Sequence, residues 1–102
     1  MGKYVFLYTG GQMAETAEAQ QESMQAWGAW FGSLGSSVSD MGNQFGASAT
    51  VKSGGAVSGS ALNAGGYSII SADSLEDATA KAAGCPVLSG GGTVEVYEAL
   101  PM

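Results

Sequence analysis

Gly65-Gly66-Tyr67-Ser68-Ile69-Ile70-Ser71-Ala72-Asp73-Ser74-Leu75-Glu76-Asp77, then an alanine-rich run to Gly84-Cys85-Pro86, then Gly90-Gly91-Gly92 and Thr93-Val94-Glu95-Val96-Tyr97: this last third of the chain decides the fold. Its β-branched and aromatic residues predict one strand over 67–72 and a final strand over 93–100. Between them, Asp73 or Ser74 caps a helix, and Glu76 or Asp77 three residues on completes a capping-box pattern. Leu75, Ala78 and Ala82 fall on the core side of that helix. Gly84 ends it, and Pro86 prevents its restart.

The first third repeats the pattern. Residues 3–9 form a strand ending at Gly10-Gly11, with Tyr4, Phe6 and Tyr8 on one face and Val5 and Leu7 on the other. Residues 14–34 form a helix, because Ala17, Met24, Trp27, Phe31 and Leu34 recur at helical spacing and share one face. Glu15, Glu18 and Glu22 lie opposite and suit the positive end of the helix dipole. Gly35 is the stop. Gly28 and Gly32 inside the helix call for a packing reason, since each costs roughly 1 kcal/mol relative to alanine. Residues 36–62 are rich in Ser, Gly and Ala and weakly patterned. Short strands over 38–40, 45–52 and 56–57 and a Gly54-Gly55 turn fit there, and one long irregular strand followed by a loop is expected.

The element order is therefore β-α-β(β)-β-α-β in a single domain over residues 1–102. Helices separating strand pairs point to an α+β, ferredoxin-like sandwich: a four-stranded antiparallel sheet with two helices on one face. Both faces of the first strand are apolar or aromatic, so the face away from the helices needs a cover. Two such sheets packed face to face supply it, which predicts a homodimeric α+β barrel.

Composition removes whole classes of function. The net charge is −6, the only cations are Lys3, Lys52 and Lys81, and Arg and His are absent. Nucleic acid and anionic membranes both require clustered cations, so neither is an expected partner. No apolar stretch approaches membrane-span length and no signal-like segment leads the chain, so a cytoplasmic protein is the expectation. The lone Cys85 cannot form a disulfide within the chain.

The quoted segment, Gly-Gly-Tyr-x-Ile-Ile-x-Ala-Asp-Ser-Leu-Glu-Asp-Ala with Gly-Cys-Pro and Gly-Gly-x-Val-Glu-Val after it, resembles the YCII-related proteins, particularly their DGPF-domain branch. The opening Lys3-Tyr4-Val5-Phe6-Leu7-Tyr8 and the helix end from Trp27 to Gly35 resemble the same family. The resemblance runs over residues 1–35 and 65–102 and lapses between them. It implies a ferredoxin-like, dimeric α+β barrel in a family with a few enzymes acting on small aromatic or lactone-like molecules. It also implies an acid-base His in the first helix and an Asp near that helix's end. Here Met24 or Gln25 stands at the first position and Ser33 at the second, and Ser58-Gly59-Ser60 occupies the general region of the missing Asp-Gly-Pro-Phe. The resemblance carries the fold and leaves the chemistry without its residues.

The candidate site is a group of tyrosines around one carboxylate. Alternation sets Glu95 and Tyr97 opposite Val94 and Val96; with the valines toward the helices, Glu95 and Tyr97 face the barrel interior. Tyr4, Tyr8 and Tyr67 are expected to point the same way; Trp30 lies at the margin of its helix stripe, either at the pocket mouth or, the plainer reading, packed in the core or interface. In such a pocket Glu95 is the one candidate general acid or base, and the tyrosine hydroxyls orient a small hydrophobic or aromatic ligand. The plainer account is that aromatics fill a dimer core with Glu95 at its wet edge. Other residues have structural readings: Asp73 as a helix cap, Cys85 as a small buried hydrophobe with no His to activate it, and Glu15, Glu18 and Glu22 as a solvated helix face. The glycine runs lack phosphate-loop spacing, and Gly46-Ala47-Ser48-Ala49-Thr50 lacks the final glycine of a nucleophile elbow. No cofactor or metal is expected. The leading expectation is a dimeric module that binds a small molecule or performs no catalysis. Behind it stand an enzyme using Glu/Tyr acid-base chemistry on a small aromatic or lactone-like substrate, and a subunit docking other proteins through residues 36–62.

Overall fold

The computed structural model describes residues 2–10, 16–59 and 64–101. In chain order these form β1 (Gly2–Thr9), α1 (Ala17–Leu34), β2 (Val38–Asp40), β3 (Ala49–Lys52), β4 (Gly55–Ser58), β5 (Ala64–Ala72), α2 (Leu75–Ala82) and β6 (Thr93–Ala99), with 3-10 turns at Gly35–Ser37 and Pro86–Gly90. The fold is α+β. One antiparallel sheet runs β2-β5-β1-β6, and a separate two-stranded sheet pairs β3 with β4. The strand order of the larger sheet and its two helices are consistent with a ferredoxin-like sandwich.

The ends of the helices follow from local chemistry. Thr16 caps α1 by accepting from the Ala19 N–H at 3.0 Å, and Gly35 ends it with φ +56°. The residues expected to begin this helix at 14 and 15 lie outside the described residues. Ser74, rather than Asp73, caps α2: its hydroxyl accepts from the Asp77 N–H at 3.0 Å, while the Asp77 carboxylate accepts from the Asp73 N–H at 3.0 Å. That pair resembles a capping box, with the carboxylate bonded one residue ahead of the cap. Asp77 also binds Lys81 at 2.8 Å one turn on, and the hydrogen bond from Lys81, followed by the one from the Asp73 N–H, holds its carboxyl below the usual carboxylate range.

The core lies on one face of the sheet. Tyr4, Phe6 and Tyr8 from β1, Ser68, Ile70 and Ala72 from β5, Trp30 from α1, and Ala78 and Ala82 from α2 are all buried, with Cys85 behind them. Val94 and Val96 of β6 pack against this cluster. Trp30 ties the layer together: it is 6% exposed, stands against Phe6 and Tyr8, and its indole N–H donates to the Lys81 carbonyl at 3.1 Å. That carbonyl belongs to the last turn of α2, where no intrahelical partner exists. Gly84 makes room for the ring, since a Cβ there would stand 3.3 Å from it.

Four expectations are corrected. Met24 is 74% exposed and Ala17 is exposed, so the buried stripe of α1 is rotated toward Trp30 and away from them. Leu75 is exposed, and α2 buries only its alanines, because a short helix lying close to the sheet has room for little more. Gly28 and Gly32 meet nothing within 4 Å of a Cβ, so no close helix–sheet approach requires them. Residues 38–58 form an edge strand and then a hairpin with Ser53 and Gly54 at its turn, not one long irregular strand.

A fifth feature, unexpected from sequence, is the joint after β2. Asp40 Oδ1 accepts from the Gly42 N–H at 2.8 Å, and Gly42 takes φ +78° with its α-carbon pressed against β5. A Cβ there would fall 1.7 Å from the Tyr67 carbonyl oxygen. Beyond this joint pairing resumes through Gln44 and Gly66, and buried Ser68 donates to the Met41 carbonyl at 2.7 Å.

Candidate functional site

The register of the sheet determines which side chains can act together. Tyr8 pairs with Val94, Phe6 with Val96 and Tyr4 with Glu98, while Leu7 pairs with Glu95 and Val5 with Tyr97. Directly paired residues share a face. Tyr4, Tyr8 and the valines therefore belong to the helix side, and Val5, Leu7, Glu95 and Tyr97 to the other. On β5 the same rule places Tyr67 beside Leu7 and Ile69 beside Val5 on that second face.

The proposed tyrosine group is thus split. Tyr67, Glu95 and Tyr97 come together on the open face of the sheet. Tyr4, Tyr8 and Trp30 do not join them; they are core residues under the helices, and Trp30 is the buried anchor of α1 rather than the rim of a pocket. The physical reason is that Val94 and Val96 face the helices as expected, and antiparallel pairing then obliges Tyr8 and Tyr4 to follow them. Burial pushes the Tyr8 phenol up to about 12. Tyr4 is raised by burial first and then by the Glu98 and Asp77 carboxylates. Neither phenol is suited to proton transfer near neutral pH.

The open face forms two rows across the sheet. One runs Tyr67–Leu7–Glu95, the other Ile69–Val5–Tyr97. At a strand spacing of about 4.8 Å the α-carbons of Tyr67 and Glu95 are roughly 10 Å apart, with Leu7 between them. Val5, Leu7, Tyr67 and Ile69 are half-buried by their neighbours within the sheet, whereas Glu95 and Tyr97 on the edge strand are exposed. Phe45 extends the first row, its ring stacked on Tyr67 with centroids 5.7 Å apart and planes 18° from parallel. Sequence reasoning missed Phe45 and placed Val5 and Leu7 away from Glu95; the only signal for both is register. The face offers aromatic and aliphatic walls and one carboxylate, which suits packing or a small apolar ligand with one hydrogen-bonding group.

The remaining candidates take structural roles. Ser33, at the position where the resemblance implies an acid, donates its hydroxyl to the Trp30 carbonyl at 2.6 Å within its own helix. Met24 and Gln25 are exposed. Glu18 and Glu22 line an open depression with Gln21 and Gln25 on the solvated side of α1, and Glu15 lies outside the described residues. Among the described residues no three His, Cys, Asp or Glu side chains gather as metal ligands would. Cys85 is buried, and burial pushes its thiol up to about 11, the direction opposite to an activated nucleophile. No helix among the described residues is long and apolar enough to cross a membrane.

Comparison with models of known protein families, with curated proteins and with solved structures finds no match for this chain.

Proposed function

We propose that this is a YCII-like protein whose ferredoxin-like sheets pair face to face in a homodimer, enclosing a small-molecule-binding site rather than a catalytic centre. The observation that carries the reading is the open sheet face: Val5, Leu7, Tyr67, Ile69 and Tyr97 form a continuous apolar and aromatic surface on the side away from both helices. A sheet that uses one face for its core and leaves such a second face bare is matched by a second apolar layer. Glu95 at the margin supplies the one charged group with which a bound hydroxyl or amine would be oriented. The loss of the family's acid-base residues, with Ser33 bonded to its own helix and Met24 exposed, supports binding over chemistry.

Glu95 beside the tyrosines of its own face keeps the enzymatic reading as the second one, with Tyr67 and Tyr97 as its positioning groups. Native mass spectrometry of the purified protein tests both readings. The expected spectrum shows twice the chain mass of 10.2 kDa together with a co-purified small apolar molecule. Glu95→Gln is expected to release that molecule and leave the dimer intact. Retention of the molecule by Glu95→Gln would remove Glu95 from the site.

A further inference from the structure

We propose that the β3–β4 hairpin is a dimer arm, which leaves its own subunit and lays its Ala49/Val51/Ala56 face on a second copy of this chain. The inference rests on the face-to-face dimer and names a further element that builds it.

The hairpin has no core of its own. Ala49 pairs with Ser58, Thr50 with Val57, Val51 with Ala56 and Lys52 with Gly55. The ladder is extended by the Gly59 N–H to the Ser48 carbonyl at 2.8 Å and by the Thr50 hydroxyl to the Gly59 carbonyl at 3.0 Å. Alternation gathers Ala49, Val51 and Ala56 on one face, and all are exposed, Val51 at 78%. Among the described elements, the two strands pack chiefly on each other. A two-stranded hairpin in water is marginal unless its apolar face is covered.

The shape of the molecule agrees with an extended arm. Its extents are 44 × 41 × 19 Å and its radius of gyration is 14.8 Å, against about 13 Å for a compact chain of this length. The body is one sheet and one helix layer thick.

Area identifies the occupant. The four strands, of 3, 9, 8 and 7 residues in sheet order, give the open face a projected footprint of roughly 450 Å², below the ~800 Å² of accessible surface each partner contributes to a stable interface. An arm of this length covers roughly 170 Å². Two-fold symmetry counts it twice for each copy, once given and once received, and brings the interface to the standard size. Both bare surfaces are on the same chain, so a second copy satisfies them together. Charge agrees: Lys52 stands at the arm's tip, while the edge strand β6 carries Glu95 and Glu98. Among the described residues the only ion pair is Lys81–Asp77.

Analytical ultracentrifugation of the full chain, comparing wild type, Val51→Lys, Lys52→Glu, a version with residues 49–58 replaced by a short Gly-Ser link, and Leu7→Asp, tests the arm. Val51→Lys and the shortened chain are expected to raise the dimer dissociation constant roughly tenfold or more, by burying a lone charge or removing the contact. Lys52→Glu is expected to raise it about threefold, and less in high salt. Leu7→Asp is expected to abolish dimerisation. If Val51→Lys and the shortened chain dimerise as tightly as wild type while Leu7→Asp is monomeric, the arm is overturned and the face-to-face dimer stands. A wild type that is monomeric throughout overturns both.

Discussion

Cys85 is a buried core residue and not an activated nucleophile. The thiol is 3% exposed within the core, and burial holds it near pH 11 against the moderating hydrogen bond from the Val87 backbone. An unfolded thiol titrates at about 8.5. Between these values the unfolded chain has lost a proton that the folded chain keeps, so the unfolded state binds fewer protons and stability falls as pH rises. The contribution is complete below about pH 8.5 and is gone above the folded value of about 11. Tyr8, held near 12, adds a further loss that begins at the ordinary phenol value of about 10. Urea denaturation at pH 8, 9, 10 and 11 should show a declining midpoint, and Cys85→Ala should flatten the decline between pH 8.5 and 10. Equal slopes for the two proteins would contradict this account of the core. The buried state of Cys85 was legible in sequence from its lack of activating neighbours. The face taken by Tyr4 and Tyr8 was not, because alternation assigns two faces to each strand but leaves open which face of one strand matches which face of the next.

At the scale of elements, glycines separate what tertiary packing demands from what it tolerates. Gly28 and Gly32 sit in the middle of α1 with open space around them, while Gly42 sits at φ +78° against the backbone of β5. Replacing Gly28 or Gly32 by alanine should stabilise the protein by about 0.5–1 kcal/mol each, the helix-propensity difference. Gly42→Ala should destabilise it by about 3 kcal/mol or more, because a strained dihedral and a backbone clash act together. Paired chemical-denaturation curves would check both signs; a destabilised Gly28→Ala would mean that α1 packs against something on that side. Caps and turns were the legible part of these elements: Ser74 with Asp77, the stop at Gly35, and the end of α2 before Pro86 each depend on neighbours within four residues. The joint at Gly42 was not legible, since it is created by Tyr67, which is distant in sequence. The same holds for Trp30, whose burial depends on the Lys81 carbonyl and the space over Gly84 rather than on the period of its own helix.

For the whole molecule, the count and order of strands around two helices could be read from patterning, because each element carries its own local signal. The hairpin over 49–58 is legible only in part: short strands about a Gly54-Gly55 turn fit the sequence, but Ala, Ser, Thr and Gly give no strong period to favour them over one long irregular strand, and the hairpin pairs only with itself. The central claim concerns what the flat body leaves bare. The 19 Å thickness accommodates one sheet and one helix layer, and the second sheet face carries Val5, Leu7, Tyr67, Ile69 and Tyr97 without a third layer from the described elements. Light scattering on the purified chain at micromolar concentration tests the claim most directly. The account predicts twice the chain mass of 10.2 kDa for wild type and the single-chain mass for Leu7→Asp with its secondary structure retained. A wild-type particle of single-chain mass would contradict it.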